Sequence, residues 1–351
     1  MINWGIIGTG KIAYDVGFAI QSIPDCKIIG VSTRNLENAK KYATRLNLKS
    51  YFNDTNQLMG LESIDILYIS TPNHLHASLI ELGLKHGKHI LCEKPMTIHA
   101  EQLSKLKKLA NQKQLFLMEA MWTMFLPSIR QFLDQTQRIG KIRLIQGSMG
   151  FILAKERCFH QELGGGSILD LGVYLISLTY ALLGKPTEIL SQKLNLHGDV
   201  ETSASISLKY NQDAIAHLLC SFDTQLENSF IVFGEKGSVK LEAPFFRSAI
   251  ISFQKFYPAS HEIDSIKNPF QSFPLLKNGS SWKQRLFHKL NLGQQQKIAA
   301  YQGNGYQYQI LEVVKCLKNT QLESTILPID HSIEVLKVID NINTNKNENK
   351  S

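Results

Sequence analysis

From Ile2 to about Leu133, short apolar runs alternate with segments whose apolar residues recur at helical spacing. "INWGII" reads as a first strand, and "KIAYDVGFAIQS" as a helix with Pro24 beyond its end. "CKIIGVST" is the next strand, "NLENAKKYATRL" a helix opened by Asn35, and "DILYIST" a strand closed by Pro72. "HASLIELGLKHG" predicts a helix stopped at Gly87, followed by the strand "KHILCE", the helix "SKLKKLANQ" and the strand "QLFLMEAM". Strands separated by helices lie side by side only if the helices cross over them, so the pattern predicts an α/β unit with a parallel, doubly wound sheet.

Near Gly140 the period changes. "KIRLIQGSMGF" is strand-like, and "GGGSILDLGVYLISLTYALLG" is a helix with glycine at both ends. Thereafter alternation of period two dominates: "SASISLKY" sets Ala204, Ile206, Leu208 and Tyr210 on one face, and "AIAHLLCSF", "SFIVFG" and "GSVKLEA" follow between turn residues. Consecutive strands with short turns predict an α+β unit built on a large, open, mostly antiparallel sheet with one covered face. The expected division is residues 1–122, residues 123–342 and a polar, disordered tail at 343–351. The late helices "YQYQILEVVKCLKN" and "SIEVLKVIDNI" lie on the second unit or return to the first. Between Tyr257 and Gly303 no period is legible, and the stretch reads as an insertion rather than a lid.

Composition adds limits. At 351 residues the chain is long for one core, and 43% apolar with 19% charged residues is ordinary for a globular protein. The formal charge of +8 is dispersed, so a small anionic cofactor or substrate explains it better than nucleic acid. Cys26, Cys92, Cys158, Cys220 and Cys316 are odd in number and widely spaced, which argues for a reducing compartment and against disulfides or a zinc site. With no signal-peptide pattern and no uninterrupted run of about 20 apolar residues, the cytoplasm is the expected location and no membrane partner is expected.

The first motif with chemistry is "GTGKIA": Gly8, Thr9, Gly10, Lys11, Ile12 and Ala13, between a strand and a helix. The first glycine permits a tight turn, the second lets a pyrophosphate approach the backbone, and the small Ala13 lets helix and strand pack closely. A glycine-rich turn without a ligand is the alternative. At the end of the second strand, where an NAD site offers a carboxylate to the ribose hydroxyl, this chain has Ser32, Thr33 and Arg34. A hydroxyl and a guanidinium suit a 2′-phosphate, so NADP is favoured, with NAD as the alternative and a solvated Arg34 as the bland explanation. "STPNHLH" supplies Ser70, Thr71, Pro72, Asn73 and His76 as a loop shaped against the cofactor. His74 and His76 lack a third ligand at metal spacing, so no metal is expected.

"HILCEKPMT" ends a strand with Glu93, Lys94 and Pro95 where a plain turn would serve. The structural explanation is a strand stopped by proline before a helix capped at Thr97; the functional one is a charge fixed at the carboxyl edge of a sheet, where open α/β folds bind ligands. Asp170 and Tyr174 stand four apart on the predicted glycine-flanked helix and share one face, either as packing groups or as chemistry.

Together, "GTGKIA", "STPNHLH", "CEKPMT", "MEAMWTMFLP", "GGGSILDLGVY" and "GNGYQYQ" resemble the Gfo/Idh/MocA family of nicotinamide-dependent oxidoreductases, within it the branch of dimeric dihydrodiol and NADP-dependent xylose dehydrogenases. The resemblance runs from about residue 2 to 340 and implies a Rossmann domain, a C-terminal sheet that forms a homodimer or homotetramer, and a carbohydrate-like small-molecule substrate between them. It implies that Lys94 and Tyr174 act on the substrate hydroxyl or carbonyl with Asp170 nearby, that Glu93, Trp122 and Arg157 join the cofactor site, and that the Lys94–Pro95 peptide is cis. A phenol is too weak an acid or base at neutral pH unless a cation lowers it, and Lys94 is the expected cation. Met124 stands where the branch carries arginine, which bears on the substrate more than on the redox step. The rival readings are a catalytically inactive NADP-binding sensor on the same fold and an NAD-dependent, redox-assisted glycosidase.

Overall fold

The computed structural model describes residues 1–152, 156–256 and 294–348. Its first half is a six-stranded, wholly parallel sheet of β1 (Ile2–Ile7), β2 (Cys26–Ser32), β3 (Ser50–Phe52), β4 (Ile66–Ile69), β5 (His89–Glu93) and β6 (Leu117–Ala120). The order is β3-β2-β1-β4-β5-β6, so the chain reverses its winding between β1 and β4. The crevice beyond the carboxyl ends of those two strands is where such sheets receive ligands. β3 and the helix Thr55–Met59 were not anticipated; at three and five residues they are too short to show a period.

Crossover helices α1 (Lys11–Gln21), α2 (Leu36–Arg45), α3 (Thr55–Met59), α4 (His76–Lys85) and α5 (Ala100–Lys113) cover the sheet. α1 buries Ala13, Val16, Gly17, Ala19 and Ile20 at helical spacing, and α2 is capped by Asn35, whose side chain accepts from the Asn38 N–H. α5 starts at Ala100 rather than at a Thr97 cap. Its first amide donates to Asp340 Oδ2 at 2.9 Å, and His99 Nδ1 lies 2.9 Å from Asp340 Oδ1. Thr97 instead donates to the His99 carbonyl.

The second half carries an eight-stranded sheet, ordered β14-β13-β12-β11-β7-β10-β9-β8. Its strands are β7 (Ile142–Gly150), β8 (Glu188–His197), β9 (Val200–Lys209), β10 (Ile215–Ser221), β11 (Phe230–Gly234), β12 (Gly237–Leu241), β13 (Ile250–Lys255) and β14 (Gln294–Ile298). Adjacent strands are antiparallel except β7 and β10, which run parallel. The exception follows from the helix between β7 and β8, because a strand–helix–strand crossover leaves its strands parallel. That helix is a π turn at Ile168–Gly172 running into α7 (Val173–Leu183), after α6 (Pro127–Thr136). Gln161–Leu183 has the length and hydropathy of a membrane span, but 72% of its most apolar window is buried inside the molecule, the pattern of a core helix.

α8 (Gln307–Lys318) packs on α1, and α9 (Ile329–Glu348) lies against α7, α5 and β6, so the late helices return to the first sheet. α9 also continues through Asn343 to Glu348, where the polar composition predicts a disordered tail. Extending an existing helix avoids the cost of nucleating one, and a buried face upstream carries the polar turns along. Most of the unreadable stretch, residues 257–293, lies outside the described residues, and 294–298 form the edge strand β14.

Because Asp340 joins α9 to the first turn of α5, Asp340→Ala is expected to cost about 1 kcal/mol. A urea unfolding curve for the variant should show a lower midpoint at unchanged slope.

Candidate functional site

The parallel topology brings the ends of β1, β2, β4, β5 and β6 to one edge. Gly8 follows β1 at φ +110°, and a Cβ there would lie 2.7 Å from the Ser70 carbonyl oxygen. A glycine is therefore dictated by the protein itself, whether or not a ligand binds. Gly10 differs: it caps α1 at φ −70°, and a Cβ there would meet nothing within 4 Å. The protein leaves that space open in front of a helix start with no side-chain cap and no acidic residue in its first turn, which is how a helix presents amides to an anion. Thr9 and Ile12 are half-buried beside it, and the outward Lys11 pairs with Asp15 at 2.8 Å.

At the end of β2, Ser32 is buried with its hydroxyl 3.4 Å from Thr55, Thr33 is half-buried, and Arg34 is exposed with no ion pair among the described residues. No carboxylate occupies this strand end. The loop after β4 divides its labour. Ser70 donates to the Ile7 carbonyl, and Asn73 Nδ2 donates to the Gly164 carbonyl at 2.9 Å, tying the loop to the glycine run before the π turn. Thr71 Oγ1 is buried without a hydrogen-bond partner among the described residues, and a buried hydroxyl ordinarily has one. His76 corrects the expectation for this loop: it is fully buried, with Nδ1 2.9 Å from the Pro95 carbonyl and Nε2 2.8 Å from the Thr71 carbonyl. Burial lowers its pKa and keeps the ring neutral, so its single N–H donates to one of these two carbonyls and the imidazole packs between the loops.

The residues present therefore fit a dinucleotide: an uncapped helix start, open space at Gly10, an unpartnered Thr71 hydroxyl and a non-acidic end of β2. The side chain of Arg157 lies outside the described residues.

At the end of β5 the Lys94–Pro95 peptide is cis, as the resemblance implies. Lys94 Nζ donates to Asp170 Oδ1 at 2.7 Å and to the Asp170 carbonyl at 2.6 Å, and sits 4.8 Å from the centre of the Tyr174 ring. Its side chain is only 12% exposed. Burial alone would push the ammonium down; the Asp170 carboxylate, Tyr174 and Glu93 outweigh it and hold Lys94 above its ordinary value. The structure thus brings together the three residues the sequence singled out for catalysis. Asp170 lies in the π turn, with Tyr174 one turn on in α7.

Tyr174 is 9% exposed, accepts a hydrogen bond from the Trp122 indole and faces the Phe246 ring at 6.3 Å. Lys94 lowers its phenol as expected, but burial raises it more, so the group stands above its ordinary value and is protonated at neutral pH. Trp122 also stacks on Tyr306 at 4.7 Å, which places it beside the phenol.

Sequence reasoning gave Glu93 to the cofactor site and missed the groups around it behind Lys94, Tyr68 and Glu119. Tyr68, in the middle of buried β4, donates to Glu93 Oε1 at 2.6 Å. Burial pushes the Glu93 carboxyl up to about 7, opposed by the Tyr68 hydrogen bond and by Lys94 and reinforced by Glu119. Glu119 accepts from the Met96 amide and the Ser332 hydroxyl. A tyrosine within an otherwise apolar parallel strand was the available signal, since a buried phenol needs a partner.

Two regions match the Gfo/Idh/MocA oxidoreductase family: residues 2–121 its NAD-binding Rossmann domain, and residues 128–240 its C-terminal domain. The trans-1,2-dihydrobenzene-1,2-diol dehydrogenase of Xenopus tropicalis is 32% identical over 247 residues, covering 68% of this chain and 74% of that protein. The human protein of that name is 30% identical over 251 residues, covering 69% and 75%. Among solved structures, KijD10, a 3-ketoreductase from Actinomadura kijaniata in complex with NADP and TDP-benzene, superposes with a TM-score of 0.80 at 21% identity, covering 97% of this chain and 96% of that one. The aldose-aldose oxidoreductase of Caulobacter crescentus does so with a TM-score of 0.81 at 18% identity, covering 99% and 98%. These two likenesses speak to the fold.

Two glycine variants separate the protein's needs from the ligand's. Gly8→Ala should lower stability by about 1–3 kcal/mol through backbone strain and the clash at Ser70. Gly10→Ala should keep the melting temperature while weakening coenzyme binding by about tenfold or more, read by fluorescence titration.

Stability should also report Glu93. Its folded value of about 7 lies above the ordinary carboxyl value of 4.5, so between those pH values the folded state binds the extra proton. Its contribution is then full below pH 4.5 and is lost as pH rises through 7. Glu93→Gln keeps an acceptor for Tyr68 and removes the titration. The melting temperature of the wild type, relative to this variant, should fall between pH 5 and pH 8, about one unit outside the window on the alkaline side.

Proposed function

We propose, because the chain belongs to the Gfo/Idh/MocA oxidoreductase family, that it moves a hydride between NADP and a secondary alcohol or carbonyl of a sugar or dihydrodiol-like substrate, with Lys94 and Tyr174 handling the proton. The observation that carries this reading is the Lys94 ammonium, enclosed at the carboxyl end of β5, anchored on Asp170 and set against the Tyr174 ring.

The nicotinamide supplies or accepts the electron pair when bound. The α1 amino terminus would hold the pyrophosphate, and Thr33 with Arg34 the 2′-phosphate of the ribose, which a carboxylate at that position would repel. In the reducing direction Tyr174 gives its proton to the carbonyl oxygen as that oxygen becomes a hydroxyl. Lys94 then faces a phenolate, and its positive charge stabilises the anion that proton transfer creates. In the oxidising direction the same pair takes the hydroxyl proton back. Asp170 keeps the ammonium charged and in place.

Lys94→Met and Tyr174→Phe should each retain NADPH binding while turnover falls by about 10²–10⁴-fold. The assay is coenzyme absorbance with a panel of sugars and dihydrodiols; near-normal turnover in either variant removes that residue from the mechanism.

For the coenzyme, the fluorescence of Trp122 should report NADPH binding about tenfold or more tighter than NADH, and Arg34→Ala should close that gap. Tighter binding of NADH would assign Arg34 to the solvated surface.

A further inference from the structure

Beyond Tyr174 the crevice is walled by a turn that none of the sequence motifs includes. The short helical turn Phe245–Arg247 lies between β12 and β13, after the cis Ala243–Pro244 bond. It is fastened from two sides. Thr123 Oγ1, in the turn that carries Trp122, donates to the Phe246 carbonyl at 3.1 Å, and the Tyr301 hydroxyl donates to the Arg247 carbonyl at 3.0 Å. The Phe246 ring thereby faces Tyr174 at 6.3 Å and Phe151 at 5.9 Å. Over that same ring, 5.2 Å from its centre, stands the Arg247 guanidinium.

The charge of Arg247 reaches the crevice. Burial raises the phenols of Tyr301 and Tyr306, with Tyr174 and Glu93 adding to the rise at Tyr306, and the Arg247 charge opposes the rise in both. Yet Arg247 is exposed and forms no ion pair among the described residues, while the other charges here have partners: Lys94 with Asp170, Glu93 with Tyr68, Asp15 with Lys11. Arg247 is thus an exposed planar cation without an ion partner among the described residues, held over an aromatic ring that borders the phenol. Guanidinium donors match the paired oxygens of a carboxylate or a phosphate. Met124, buried across the same turn as Trp122, offers no competing charge.

We propose that Arg247 is the specificity-determining residue of this crevice, and that it selects sugar substrates bearing an anionic oxygen group, a carboxylate or a phosphate, over neutral ones. This rests on the oxidoreductase reading above and names its substrate class. Held over the Phe246 ring, the guanidinium stands at the crevice wall, so an anionic substituent would be gripped while the reacting carbon lies between Tyr174 and the coenzyme site.

The test measures binding separately from turnover. Full-length protein loaded with NADPH is titrated by calorimetry with glucose, glucuronate, glucose monophosphate and UDP-glucose. At least one anionic sugar should bind about 10- to 100-fold more tightly than glucose, and which of the three binds best distinguishes carboxylate, phosphate and nucleotide diphosphate as the source of the anion. Arg247→Gln should reduce that ratio to within about threefold, Arg247→Lys should keep part of it, and added salt should weaken it. Equal binding of glucose and every anionic sugar, no binding of any, or a preference that survives in Arg247→Gln overturns the proposal. Binding with the expected preference but without coenzyme oxidation, or reduction with NADP, overturns the oxidoreductase reading and leaves the anion selectivity standing.

Discussion

The contact between Lys94 and Asp170 joins the two halves of the molecule at the place where chemistry is expected. One partner ends a strand of the parallel sheet; the other lies in the π turn that begins the core helix of the second half. An ammonium that is only 12% exposed would be driven toward its neutral form without a counter-charge. Asp170 supplies both a carboxylate oxygen and its own carbonyl, so the charge is satisfied at two points and fixed in direction. Such a pair is weak evidence for stability, because desolvation offsets much of the attraction. Its consequence is positional: the cation rests beside the Tyr174 ring and cannot relax into solvent.

Around that contact the site is built in layers. Behind Lys94 lie two buried carboxyls, Glu93 and Glu119, each held by a hydroxyl, from Tyr68 and Ser332 respectively. Beside it, the buried His76 ring packs between the Pro95 and Thr71 carbonyls and donates its one N–H to one of them. In front of it an aromatic wall of Trp122, Tyr306 and Phe246 surrounds the phenol. Low-dielectric walls strengthen each charge interaction inside them. The reversal of strand order between β1 and β4 then sets the open helix start of α1 beside this layered site rather than at a remote edge.

The alternation of strand and helix made the first half legible, since each βαβ unit pairs a period of two with one of 3.6 and leaves few topologies open. Lys94, Asp170 and Tyr174 were legible as residues, but their meeting followed only from the family resemblance and not from spacing, because 76 positions separate Lys94 from Asp170 and the packing of the assembled fold closes that distance. The parallel pair β7 and β10 and the strand β8 escaped for a similar reason: "EILSQKLNLH" is too polar to show one clear face, and the pairing is decided by the crossover rather than by either strand. His76 belongs to the cofactor loop in sequence, but as the first residue of α4 its ring lies in the interior. Burial of this kind is a property of the assembled fold.

The balance at Tyr174 bears on how the pair would work. Lys94 by itself would make the phenol a stronger acid, yet burial leaves it above its ordinary value, so a neutral phenol faces an ammonium at rest. Before proton transfer their attraction is that of a cation for a ring and a dipole; afterwards it is that of two opposite charges in a poorly hydrated crevice. The interaction therefore strengthens as the proton leaves, which is the condition for lowering a barrier rather than merely tightening binding. A phenol already ionised at rest would have spent that gain in the ground state. Burial that raises Tyr174 and a cation that lowers it are complementary: the first keeps the proton in place, and the second makes its departure tolerable.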